Sequence, residues 1–197
     1  MLGVTYSFRL KSRSAFDFSV DYSNEASVLA ADIPDQPVAP TTAVVGSDIL
    51  FDWVAPSANG SPITQYSIMV ESSDPLYYFQ DLTSCDGSDS TIVSQTQCSV
   101  PITSLLTAPF NLDWGASITA YVIATNSKGN SEESQTGNGA LISTNPAAPI
   151  SLSEVTSLRT ASSITISWQQ APFNGGLPVL DYRVSFSVEG SGVYTVS

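Results

Sequence analysis

A chain of 197 residues with 42 % hydrophobic and 10 % aromatic residues has enough apolar material for one or two buried cores. Its formal charge of −12 argues against nucleic acid as a partner, since phosphate recognition needs a basic face. Histidine is absent, which removes the commonest general base, the commonest metal ligand and every serine–histidine or cysteine–histidine nucleophile. No apolar run is long enough to span a bilayer, and Met1-Leu-Gly-Val-Thr-Tyr6 lacks the basic start and apolar core of a secretory signal.

In chain order, Tyr6, Phe8 and Leu10 alternate with Ser7, Arg9 and Lys11, the period of a strand with one apolar face. Arg9, Lys11 and Arg13 would then share its other face. Such a stripe is either a solvated strand face or a contact with an acidic neighbouring module, where charge would set register more than affinity. Phe16, Phe18 and Tyr22 crowd the next loop, with Asp17 and Asp21 between them. Exposed loop aromatics are interface anchors unless they fold back onto their own module. A second strand is expected from roughly Ser23 to Ala30, closed by Asp32-Ile-Pro34-Asp-Gln-Pro37.

Strands are expected within Val38–Val45, at Asp48–Trp53 and at Ile63–Glu71, with another at Tyr77-Tyr78-Phe79. A polar insert follows. Cys98, Val100, Ile102 and Leu105 would mark the next strand and Ser117–Asn126 a further one. Gly129 and Asn130 would turn the chain into a last strand ending near Ile142, while Trp114 would cap the core from the side. The two cysteines, Cys85 and Cys98, favour a disulfide within this region and hence an oxidising compartment; two free buried thiols are the alternative. Without histidine they make a poor zinc site. Asp86-Gly-Ser-Asp89 offers carboxylates on a turn, but turn chemistry explains the same letters as well as calcium does. No set of residues for a cofactor or metal is readable. Asn59-Gly60-Ser61 is a glycosylation sequon whose use Pro62 should reduce.

One text occurs twice. Ile49, Phe51 and Trp53, the turn Pro56 to Pro62, and Tyr66, Ile68 and Val70 are matched by Ile164, Ile166 and Trp168, the turn Pro172 to Pro178, and Tyr182, Val184 and Phe186. This unit resembles the B strand, B–C loop and C strand of fibronectin type III modules, with Trp53 and Trp168, Pro56 and Pro172, Tyr66 and Tyr182 in the family's places. The resemblance implies an all-β, immunoglobulin-like sandwich of two antiparallel sheets and seven strands per module, and no particular activity. Trp53, Trp168, Tyr66 and Tyr182 would mark its cores. Tyr6 would be the corner tyrosine of strand F, a place that Ile118 takes in the middle module.

Three pieces are therefore expected: residues 1–32 as strands F and G of one module, 33–143 as a complete module, and 146–197 as strands A to C or C′ of a third. Either these residues are a window on a longer array, or residues 1–32 of one copy complete residues 146–197 of the next. The expected role is structural: a semi-rigid array or filament of an extracellular or cell-surface protein, held by contacts with neighbouring modules of the same or an identical chain. The alternatives are a module that binds an extracellular protein or glycan through its F–G and B–C loops, and an accessory region of a secreted enzyme. No nucleophile–base motif is present, so catalysis within these residues is not expected.

Overall fold

The computed structural model describes residues 2–196. The chain separates into two compact units, Met1–Ile142 and Ser143–Ser197.

The first unit opens with an antiparallel hairpin, β1 (Val4–Phe8) and β2 (Ala26–Ala30), in register from Val4↔Ala30 to Phe8↔Ala26. Ser7 and Ser27 share a 3.0 Å hydroxyl hydrogen bond across it. Tyr6, Phe8, Leu10 and Val28 remain exposed. The linker that follows is not slack: Pro34, Pro37 and Pro40 are buried at three-residue spacing, the period of a polyproline-like chain.

Seven strands then form two antiparallel sheets. β3 (Thr41–Val45), β4 (Asp48–Asp52) and β7 (Gln97–Pro101) make one, in the order β3-β4-β7. β5 (Ile63–Glu71), β6 (Tyr78–Phe79), β8 (Ala120–Asn126) and β9 (Gly129–Asn130) make the other, in the order β6-β5-β8-β9. The inward positions fall at period two: Ile49 and Phe51 on β4, Tyr66, Ile68 and Val70 on β5, Ala120, Val122 and Ala124 on β8. The small alanines of β8 sit opposite large residues of β5, Ala120 against Val70 and Ala124 against Tyr66, so the inner face stays level. Trp53 closes the core at 3 % exposure, its indole N–H buried without a hydrogen-bond partner among the described residues.

Three details differ from the expectations. The polar insert contains a short helix, α1 (Ser90–Gln95), started by Asp89, whose carboxylate accepts from the Thr91 and Ile92 amides, and stopped by Thr96 at φ 54°. Ile102 and Leu105 do not extend β7. Pro101 turns the chain into a helical turn, α2 (Ile102–Leu105), and their spacing of three puts both side chains in the core. Trp114 is 40 % exposed rather than a lid on the core.

The last edge is also irregular. Beyond β9, the described residues of this unit make only single bridges, Ala120↔Gly137 and Ser117↔Leu141. Ser131, Ser134, Gly137 and Ala140 are buried at three-residue spacing. The serine hydroxyls explain this, for Ser134 Oγ accepts from Val122 N and Ser131 Oγ from Ala124 N, each at 3.0 Å. Side chains thus satisfy amides that a regular edge strand would have paired.

The second unit holds β10 (Ile150–Glu154), a single 3-10 turn and β11 (Ile166–Gln169), which pairs antiparallel with β10. A short pair, β12 (Ser185–Phe186) and β13 (Thr195–Val196), follows. Nothing among its described residues covers the apolar side. Leu152, Ile164, Phe186 and Val188 are each more than half exposed. Trp168 is partly buried and Tyr182 39 % exposed.

Candidate functional site

The geometry concentrates at the loop joining β4 to β5 and at the linker beside it. In the first unit the Asp32 amide donates to Asn59 O at 2.9 Å and the Asp35 amide to Ser57 O at 3.0 Å. In the second unit the Thr144 amide donates to Gly175 O at 2.8 Å and the Ala147 amide to Phe173 O at 3.1 Å. Donors three residues apart on the linker meet acceptors two apart on the loop in both. The backbone follows suit, with φ of 48° and 87° at Asn59 and Gly60 against 76° and 88° at Gly175 and Gly176. In each unit a linker segment is thus clipped to the loop that follows it in the chain.

Asn59, the sequon residue, acts here as a strut. Its side-chain amide donates to Ile33 O at 2.9 Å and to Asp35 Oδ1 at 2.8 Å, while Oδ1 accepts from the Ser57 hydroxyl. Both amide hydrogens are committed, so a glycan would displace one of these bonds.

The hairpin residues singled out from the sequence come together. Arg9 and Lys11 lie over the Tyr22 ring at 5.3 Å and 4.7 Å, and Arg13 over Phe18 at 5.1 Å. Arg9 also pairs with Glu25 at 3.9 Å. These are exposed cation–ring contacts, worth about 0.5–1 kcal/mol each. Among the described residues Phe16 joins no such contact, and it stands 99 % exposed. Tyr6 tilts against Phe8 with ring centroids 6.5 Å apart and is 42 % exposed, without the hydroxyl contact of a corner tyrosine among the described residues.

Cys85 and Cys98 form a disulfide with Cα atoms 5.3 Å apart, both nearly inaccessible. It anchors the insert carrying α1 to β7. Inside the closed loop, Asp86 accepts from the Ser88 amide and hydroxyl, and Asp89 from the Thr91 amide. Those backbone hydrogen bonds hold both carboxyls below the usual aspartate range. Both aspartates are thus occupied as turn and cap acceptors. No cluster of three or more metal-ligating side chains occurs among the described residues. Among the described residues, no helix is long and apolar enough to cross a membrane.

Sequence reasoning did not single out Asn126, Ser131 or Ser134, and only a buried polar residue at the end of an alternating strand could have hinted at the first.

Seven strands in a three-stranded and a four-stranded antiparallel sheet decide the architecture. The fold is fibronectin type III-like. Among solved structures the chain is similar to a run of titin domains, at 22 % identity and a TM-score of 0.43, covering 60 % of this chain and 36 % of that one. It is similar to the FN3tt mutant at 20 % identity and a TM-score of 0.37, covering 55 % and 96 %. It is similar to the twitchin kinase region of C. elegans at 18 % identity and a TM-score of 0.37, covering 53 % and 16 %. The chain thus spans little more than a third of the titin segment. No family model and no curated protein matches the sequence. Such a fold does not by itself specify an activity; what it offers here is a pole of loops to which a linker is fixed.

Proposed function

We propose that this chain is a structural segment of a tandem array of fibronectin type III-like modules, in which residues 1–32 end one module, 33–143 form the next and 146–197 begin a third. The observation that carries this is the repeated clip, Asp32 and Asp35 on Asn59 and Ser57, then Thr144 and Ala147 on Gly175 and Phe173. Each linker is held by two main-chain hydrogen bonds, and the first also by the buried Pro34, Pro37 and Pro40, which supports reading the array as semi-rigid. The buried disulfide supports an oxidising setting, and we place the array in a secreted or cell-surface protein that builds filaments or spans distance. Electron microscopy of the native protein tests this. Beads at regular intervals along a strand are expected; a compact particle would overturn the proposal.

A second reading has its own observation. Phe16, fully exposed beside the stacked Arg13–Phe18 pair, gives the hairpin loop the look of a binding edge for an extracellular protein or glycan. If so, Phe16→Ala abolishes capture of that partner and leaves the array intact.

A further inference from the structure

We infer that the pole of the complete module, made by its B–C loop and the end of β8, is a socket that holds the end of the preceding F–G hairpin at a fixed angle, with Gly60 and Asn126 setting that angle. The inference rests on the tandem reading and names the residues of its joint.

Gly60 brings loop backbone onto hairpin backbone. A Cβ at this position would lie 2.4 Å from Gly3 N and 2.9 Å from Ala30 O. Those two atoms are themselves hydrogen-bonded at 2.8 Å and form the last rung of the β1–β2 pair. The loop is therefore stacked on the rung at a distance that no side chain fits. Gly3 and Ala30, among the smallest residues of the hairpin, are what makes the approach possible from the other side.

Asn126 fixes the socket from below. It ends β8 at 5 % exposure, and its Nδ2 lies 2.9 Å from Asp32 O, 3.0 Å from Ala58 O and 3.2 Å from Ser61 O. Its Oδ1 accepts from the Lys128 amide at 2.8 Å. One buried amide thus joins the linker, both limbs of the B–C loop and the F–G turn. A satisfied polar group in such a place orders its surroundings, because breaking its bonds leaves the buried Asn126 amide without partners. Ile33 completes the seat, its Cγ2 3.2 Å from where a Gly129 Cβ would stand. Contacts through backbone and one buried amide leave little play, unlike contacts through long exposed side chains.

Nitrogen relaxation by NMR on the full chain tests the joint. In the wild type the β1 and β2 amides should tumble with the same correlation time as those of β5 and β8. Faster tumbling of the hairpin would overturn the inference, while the tandem reading stands or falls separately on the microscopy. Gly60→Ala should release the hairpin and speed solvent exchange of the Asp32 amide about ten-fold. Since φ is +87° at Gly60, the substitution also strains the loop, so Asn126→Asp serves as the second variant. It keeps the shape, loses the donors and should give the same release with Trp53 emission unchanged. A hairpin that stays coupled in both variants would overturn the assignment of these residues.

Discussion

Trp168 stands edge-on to Tyr182 with ring centroids 5.4 Å apart and planes at 66°, nearly the arrangement of Trp53 and Tyr66 at 5.2 Å and 64°. The repeated text thus folds to the same local geometry in two settings. One pair is sealed beneath a second sheet, and the other has no sheet over it among the described residues of its unit. The T-shaped contact comes from the strand–turn–strand unit itself; the burial is supplied by the rest of a sandwich.

That difference sets the first expectation. Trp53→Ala should cost about 3–5 kcal/mol, the range for emptying a buried aromatic site. Trp168→Ala should cost clearly less, because part of its surface is already wet. Urea unfolding followed separately in the two units measures both. Equal losses would show that the second indole is as enclosed as the first.

Removing the disulfide should loosen the insert. Cys85→Ser with Cys98→Ser opens a loop with a sequence separation of 13, a change of roughly 3 kcal/mol in the chain-entropy account. Thermal unfolding with and without reductant checks it: the wild type should lose stability on reduction and the double variant should not respond.

Gly87 is a steric test of how the insert docks. Its carbonyl accepts from the Tyr66 amide at 2.9 Å, and a Cβ added to it would fall 1.9 Å from Tyr66 O. Gly87→Ala must push the insert off β5 or bend the strand. A loss of about 2 kcal/mol or more is expected, in line with overpacking at a rigid backbone. Chemical denaturation reads it, and a neutral result would mean that the insert does not rest on β5.

Acid should weaken the start of α1. Asp86 and Asp89 are held below the ordinary aspartate pKa, chiefly by the Ser88 and Thr91 amides respectively. A carboxyl depressed in the folded state contributes stability above its unfolded pKa, and that stability is lost as pH falls through the folded value. Exchange protection of the Thr91 and Ile92 amides should therefore be constant near neutrality and fall below about pH 4. Asp89→Asn should flatten that profile while keeping a cap, since asparagine also accepts from the amides.

Much of the sandwich was legible before the structure. Ile63–Glu71 alternates without interruption, and β5 has those bounds. Cys98 and Val100 also alternate, but Ile102 and Leu105 are spaced for a helical turn, and the shift of period at Pro101 was the available signal. The six-residue α1 was hidden because its only apolar residues, Ile92 and Val93, are adjacent and only partly buried, too few to show a helical period. The junction was less legible still. Asn59 read as a sequon and Asn126 as an ordinary strand end, because an asparagine amide takes its meaning from the acceptors that surround it.

What the chain determined alone is what local periodicity can encode: strand faces at period two, turns at Pro and Asn-Gly, and a duplicated Trp–Tyr unit. Tertiary structure decided which of the two indoles is sealed, that serines replace part of an edge strand, and that Gly60 meets Gly3 backbone to backbone. Those outcomes depend on atoms brought together from distant parts of the chain, and no local pattern specifies a distance between them.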